Sequence, residues 1–535
     1  MIRSSSATAI AASVAVMLFS VPPTLAQDES DQRLGTVHFA TSCNETAQRR
    51  FDRAMRYQHS FWLRQAKEIF EDVAKADPEC GMAYWGIALT LLSNPHAVTP
   101  ASNLPLGLAA IEKAKTVGAK TQRERDYIDA LSVMYIDYDQ IDYGSRLQAY
   151  LLAMEALAAR YPEDDEAQIA YAITLNVAAS PADKTYANQL KGAAILEPIF
   201  KRQPQHTGVA HYLIHLYDYP PIAEKGLDAA MRYSKIAPAA PHAQHMPSHI
   251  FTRVGYWKES IAANQASVRA AKADKSAGDQ LHGQDYMVYA YLQLGQDKNA
   301  RAVIDDMVVQ AANVRPDERG SSFALAASPA RYMVERGDWQ GAAELEVKPS
   351  NFAFITAITH FARALGAARS GKPEAAKADI AKLAELRDKL REAKDAYWTE
   401  QVDIQRLVAS AWLLYAQGQY EEALKTMAAA ADAEDKTEKS PVTPGPLAPA
   451  RELYGAMLLE RGMAKDALAA YETTLKKEPH RLGATLGAAK AAEALGDAAA
   501  ARAHYAAAVA LTEGADPVRP DIAAARGFVA KARTQ

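Results

Sequence analysis

Cysteine is almost missing from this 535-residue chain, which has only Cys43 and Cys80. That excludes a cysteine-rich zinc framework and any C-x-x-C redox motif. Charge of one sign is also missing: 60 Lys and Arg against 64 Asp and Glu leave a net charge of −4. A nucleic-acid surface normally needs a clear basic excess, so no nucleic-acid partner is expected. Aromatics are scarce at 8%, and with abundant alanine this favours helices over sheets. Beyond the N-terminus no apolar run approaches the roughly 20 residues of a membrane span. The H-E-x-x-H and G-x-S-x-G signatures are absent. GAARSGKP (366–373) looks like a phosphate loop, but Pro373 stands where Ser or Thr would reach Mg²⁺, and no strand precedes it.

What is present is ordinary globular composition, 49% hydrophobic and 23% charged, over a length too great for one core. The first residues read as an export signal. Arg3 supplies the positive region, Ala7 to Phe19 is small or apolar, Pro22-Pro23 breaks the run, and Thr24-Leu25-Ala26 offers a cleavage site. Removal of 1–26 is expected, with no cysteine following for a lipid anchor, and a periplasmic or secreted location. In an oxidising compartment Cys43 and Cys80 are expected to join, closing a loop worth roughly 3–4 kcal/mol. Free buried thiols or metal ligands are the alternatives.

Internal repetition then sets the fold. A glycine recurs with a small residue five places later: Gly255/Ser260, Gly295/Ala300, Gly337/Ala342, Gly371/Ala376, Gly418/Ala423, Gly462/Ala467 and Gly496/Ala501. Helix-period apolar residues flank each pair, so each unit reads as helix, glycine turn, helix. The pattern resembles the tetratricopeptide repeat, a 34-residue helical hairpin that stacks into a superhelix. Ala66, Phe70 and Pro78, and again Ala467, Tyr471 and Pro479, carry the resemblance. It implies an all-α, right-handed α-solenoid of about eleven or twelve hairpins from near residue 45. HSFWLRQAKEIFEDVAKADPECGMAYWGIAL, HYLIH and HMPSHIFTRVG further resemble a narrower group of exported bacterial repeat proteins of unsettled function. The expected organisation is an N-terminal segment at 27–44, hairpins with long turns at 45–205 and an array at 206–431. Hairpins at 450–535 complete it. Residues 432–449, with four prolines, read either as a linker or as a long turn inside one continuous solenoid.

Seven of thirteen histidines fall between 206 and 282, where an even spread would place about two. They are His206, His211, His215, His242, His245, His249 and His282. The pairs 211/215 and 245/249 are i,i+4, and both members of each pair recur after 34 residues, one repeat. Counted back from the turn glycines, His242, His245 and His249 match His282, Asp285 and Tyr289. Three successive first helices, which line the groove in tetratricopeptide folds, would thus bring these side chains together. Pro247 threatens a kink or a late helix start. Neutral imidazoles with a carboxylate suit Zn, Cu, Fe, Mn or Ni, and six or seven histidines permit two metals. The proposed ligands are His206, His211, His215, His242, His245, His249, His282 and Asp285. Asp218, Tyr212, Tyr217 and Tyr289 are placed to orient ring N–H groups. A metal-free polar groove, or unrelated structural histidines, are the competing readings. His59, His96, His360, His480 and His504 read as isolated. Phe51, Met55, Met82 and Trp85 suit core packing better than a ligand floor.

Two functions follow. One is a metal centre in the groove, with enzyme status left open and hydrolysis or oxidation of a small molecule or peptide as the chemistry such a centre would do. The other is a scaffold that binds a peptide or protein partner there without catalysis.

Overall fold

A computed structural model describes residues 32–532 apart from 315–317, 349 and 518. The export signal, and residues 27–31 of the N-terminal segment, therefore lie outside the described residues. Among the described residues there are helices and no named strand, only an isolated parallel bridge between Thr36 and His206. Twelve antiparallel hairpins run from Glu45–His59 with Leu63–Ala76 to Leu482–Ala494 with Ala498–Leu511, and Pro520–Ala532 closes the row. Among the described residues no helix is long and apolar enough to cross a membrane.

The glycine turns behave as their spacing implies. All seven repeat glycines, from Gly255 to Gly496, have φ between 66° and 80°, the left-handed region that favours a residue without Cβ. The small residue five places on is buried at each turn, as with Ser260 and Ala300 at 0% exposure, so the two helices of a hairpin can close up. The first hairpin breaks the rule. Phe61 holds the equivalent place, two residues before its second helix, with φ 54°.

Ahead of the hairpins, Leu34, Val37 and Phe39 are buried, and Thr36 N–H donates to the Gln205 carbonyl at 2.9 Å. Cys43 is disulfide-bonded to Cys80, with the Cα atoms 5.1 Å apart, which ties this segment to the second hairpin. Phe51, Met55, Met82 and Trp85 are buried in the N-terminal core.

The array curls back on itself. Trp257 Nε1–H donates to the His480 carbonyl at 2.9 Å, and Arg481 Nη1 donates to the Tyr289 hydroxyl at 3.0 Å. Asp516 N–H reaches the Gly295 carbonyl at 3.0 Å. The C-terminal hairpins therefore pack on the middle of the chain. Residues 436–449 do not span a gap between separate bodies. After the helix Tyr420–Asp435 they run inward, touching first helices of several hairpins. Lys439 Nζ bonds Asp218 at 3.0 Å, Tyr286 donates to the Thr443 carbonyl at 3.2 Å, and Arg331 donates to the Pro446 carbonyl at 2.6 Å. Four prolines suit this path of turns and bends, which has few backbone donors to satisfy.

Candidate metal centre

The histidines come from the first helices of three successive hairpins. Thr207–Tyr217 carries His211 and His215, and Ala277–Gln293 carries His282. Between them the helix is split into Pro241–His245 and Pro247–Arg253, since Pro247 lacks the N–H that would continue the ladder. Met246 keeps right-handed helical angles (φ −53°, ψ −36°) across the junction. His245 and His249 thus remain on one face despite the proline.

Six imidazoles form two triads. His211 Nε2 lies 3.1 Å from His215 Nε2 and 3.1 Å from His242 Nε2. His245 Nε2 lies 3.0 Å from His249 Nε2, with His282 completing the second group. Within each triad the ligand atoms are within 4.8 Å of one another. The triads adjoin: ring centroids are 6.1 Å apart for His215 and His249, and 6.2 Å for His242 and His245.

The opposite ring nitrogens decide the tautomers. His211 Nδ1 is 2.6 Å from the His59 carbonyl, which can only accept. His249 Nδ1 donates to Asp218 Oδ2 at 2.9 Å. His245 Nδ1 is 2.6 Å from Asn264 Oδ1, whose own amide N–H₂ donates to the Ser260 carbonyl. Each of these three rings therefore carries its proton on Nδ1 and points a lone pair from Nε2. In the second triad this sets the His245 and His249 lone pairs head to head at 3.0 Å. Two acceptors at hydrogen-bond distance repel unless a cation lies between them. Nitrogens about 2.0–2.1 Å from one ion stand roughly 3.3–3.6 Å apart, so small ring shifts would seat it.

A proton is a poor candidate for that cation. Burial, with neighbouring imidazoles adding to it, pushes His211 and His282 down to about 3. Burial holds His215, His242 and His245 well below the ordinary imidazole range, and lowers His249 against the opposing pull of Asp218. The rings are neutral at neutral pH, the form that binds a metal.

Asp218 anchors the far side. Burial opposes its charge, but Lys439, Arg253 and His249 hold its carboxyl far below the usual carboxylate range. Arg253 Nε and Lys439 Nζ bond it at 2.9 Å and 3.0 Å. The inward segment therefore helps to hold the orienting carboxylate of His249.

Several predicted residues lie elsewhere. His206 joins His59 and Glu166: its Nδ1 accepts from Val209 N–H, and its Nε2–H donates to Glu166 Oε1 at 2.9 Å. His59 Nε2 lies 3.1 Å from Glu166 Oε2 and His59 Nδ1 is 3.0 Å from the Tyr212 hydroxyl. The ligand atoms of this fully buried third group also lie within 4.8 Å of one another, so it could hold an ion of its own; with each nitrogen partnered inside the protein it braces the His59 carbonyl that orients His211. Tyr212 acts through that brace. Asp285 stands outside both triads, because its Oδ1 accepts from Ser328 at 2.9 Å and Arg331 lies 4.0 Å away. Tyr289 is drawn off by Arg481, and Tyr217 donates to Glu197 at 2.7 Å.

Other residues at the site went unread in the sequence. The Phe61 ring packs 4.4 Å from His211 and 5.3 Å from His242, and its left-handed backbone stores roughly 1–2 kcal/mol. A non-glycine at a glycine turn was the available signal. His96 stacks on His215 with ring centroids 4.1 Å apart, and its buried Nε2 has no partner. Tyr286 places its hydroxyl 3.4 Å from His249 Nε2. A cavity of about 680 Å³, bordered by His96, His215, Asp218, Lys439 and Tyr219, leads to the first triad.

Fold and site together define an all-α helical-repeat protein of stacked antiparallel hairpins, with a cluster of six histidines, four buried and two half-buried, on its first helices. No family model and no curated protein matches the chain. Among solved structures it is similar to a chain of Naa15/Naa10 bound to HypK-THB, at 13% identity, TM-score 0.23, covering 90% of this chain and 73% of that one. It is also similar to a chain of the APC/C hetero-tetramer Cut9-Hcn1, at 11% identity, TM-score 0.30, covering 90% and 96%. At these scores neither likeness bears on function.

Proposed function

We propose that this is an exported repeat protein whose function is carried by a transition-metal centre, two ions held by His211, His215 and His242 and by His245, His249 and His282. The observation behind this reading is the pair of lone pairs facing each other at 3.0 Å between His245 and His249, in rings whose protons are held on the opposite nitrogen. Such packing is costly without a cation, and burial disfavours a proton. The donor set suits Zn, Cu, Fe or Ni better than Mn, which prefers oxygen. The cavity beside His215 would admit a small molecule or a peptide end to an ion there, so a metal-dependent hydrolase or oxidoreductase is the reading for an enzyme. The signal-like residues 1–26 and the N-terminal disulfide support a periplasmic or secreted site of action.

A scaffold role is the second reading, since helical repeats commonly bind proteins. Residues 436–449 already lie along the inner side near the cluster, so a partner would engage other faces or displace that segment. Metal content of protein purified from its own compartment tests the first reading. His245→Ala and His249→Ala should lower it sharply, and His504→Ala should not. Equal content in all three variants would leave only the scaffold.

A further inference from the structure

We propose that the two triads form a dicopper centre that takes up two Cu(I) ions and binds dioxygen between them; this rests on the metal-centre reading above. The first argument is the donor set. All six ligand atoms are imidazole nitrogens, and no carboxylate belongs to either triad. Mg²⁺, Ca²⁺ and Mn²⁺ favour oxygen donors, and zinc on three histidines needs a fourth ligand, a water or a substrate, to complete its tetrahedron. Three neutral imidazoles per ion match the low coordination number that Cu(I) accepts.

The second argument is charge. No anionic side chain faces the metal-facing nitrogens of either triad; the nearest carboxylate, Asp218, stands behind His249 and is itself bonded by two cations, Arg253 and Lys439. Carboxylates further out, Glu438 and Glu478, act on Arg253 and are not among the triad ligands. Two divalent ions would add four positive charges inside a buried site that has no anionic ligand, an arrangement low-dielectric surroundings penalise heavily. Two monovalent ions add half as much. Among first-row transition metals the stable monovalent ion that imidazole binds well is Cu(I).

The third argument is that the charge stays constant through the reaction. Each copper gives up one electron, and dioxygen accepts both. The resulting dianion bridges two Cu(II) ions, so four positive and two negative charges replace the two positive charges of the reduced pair. No proton or outside reductant enters this step, and loss of dioxygen reverses it. A bridge requires that the two triads be neighbours. The triads adjoin through His215 with His249 and through His242 with His245. The Phe61 ring lies across the rings of His211, His215 and His242, an apolar cover that suits a small apolar gas. His96 stacks on His215 at the cavity wall, with its buried Nε2 unpartnered.

The test uses the full chain, stripped of metal and titrated with Cu(I) under anaerobic conditions against a competing chelator. Two tightly bound coppers per chain are expected. Admission of dioxygen should give an intense near-ultraviolet charge-transfer band. Both ions should then be oxidised without a Cu(II) electron paramagnetic resonance signal, because the bridge couples their spins. His215→Ala should bind one copper and lose both the band and the coupling, while His504→Ala should behave as wild type. Two bound coppers that give an uncoupled Cu(II) signal would overturn the dioxygen bridge. Tight binding of two Zn²⁺ with no Cu(I) uptake would overturn the copper assignment and leave the metal centre standing. Failure to bind Cu(I), Zn²⁺, Ni²⁺ or Fe²⁺ at all would overturn both.

Discussion

Replacing Asp218 by Asn would probe how the fold and the cluster depend on each other. The Asp218 carboxylate is buried at 7% exposure and accepts from His249 Nδ1, Arg253 Nε and Lys439 Nζ, all within 3.0 Å. Asn keeps the size but removes the charge, so two buried cations lose their shared anion. Breaking a buried pair from one side costs about 3–5 kcal/mol. Lys439 offers the easiest relief: burial already lowers it to about 8 against the pull of Asp218, and without that carboxylate it would shed its proton and loosen the inward segment. The Asn side chain can also present its N–H₂ to His249, which would invert the tautomer and withdraw the metal-facing lone pair. Loss of such an orienting carboxylate lowers metal affinity about 10–100-fold. Denaturant unfolding of the apo protein measures the first effect, and metal competition titration the second. Asp305→Asn is the reference, because its pair with Arg301 is more than half exposed and is worth about 1 kcal/mol or less. If Asp218→Asn costs no more than Asp305→Asn and keeps full metal affinity, the account of both the brace and the tautomer is wrong.

Three further outcomes are expected. Asp285, fully buried, is raised by burial to about 6 from an ordinary 3.8, with Arg331 and Ser328 opposing. A carboxyl raised on folding favours the folded state at low pH and loses that contribution as pH rises through its folded value. Asp285→Asn should therefore gain on wild type by up to about 3 kcal/mol between about pH 4 and about pH 7, and a pH-independent difference in unfolding free energy would contradict this. Gly255→Ala and Gly371→Ala share a left-handed backbone, but a Cβ at Gly255 meets the Pro479 carbonyl at 2.4 Å while Gly371 has nothing within 4 Å. Both variants should lose about 1–2 kcal/mol, with about 1–3 kcal/mol more at Gly255 if the C-terminal hairpins pack there; equal losses in urea unfolding would refute that closure. Phe61→Gly should be more stable than Phe61→Ala by about 1 kcal/mol, since both lose the ring and only glycine relieves the backbone; thermal unfolding of the pair decides it.

Much of the architecture was legible because a solenoid is nearly one-dimensional. Each hairpin depends on its own residues and its neighbours, so a glycine and a small residue five places on were enough to place seven turns. The register of His211 with His245 and of His215 with His249, one repeat apart, likewise put three helices side by side in the sequence alone. How the rings divide was not visible there. Each triad takes an i,i+4 pair from one helix and one ring from the next, and the glycine-based register that added Asp285 and Tyr289 ignored the pull of Ser328, Arg331 and Arg481. His59, His96, Glu166 and Lys439 were beyond any local pattern. They arrive from 40 to 221 residues away, by the packing of the first hairpin on the fifth and the inward run of 436–449. Small rotations between repeats add up along the chain, and only their sum decides which distant segments meet. Periodicity therefore determined the helices and the faces they share, and the curl of the whole array decided what braces the histidines, what covers them and how a ligand reaches them.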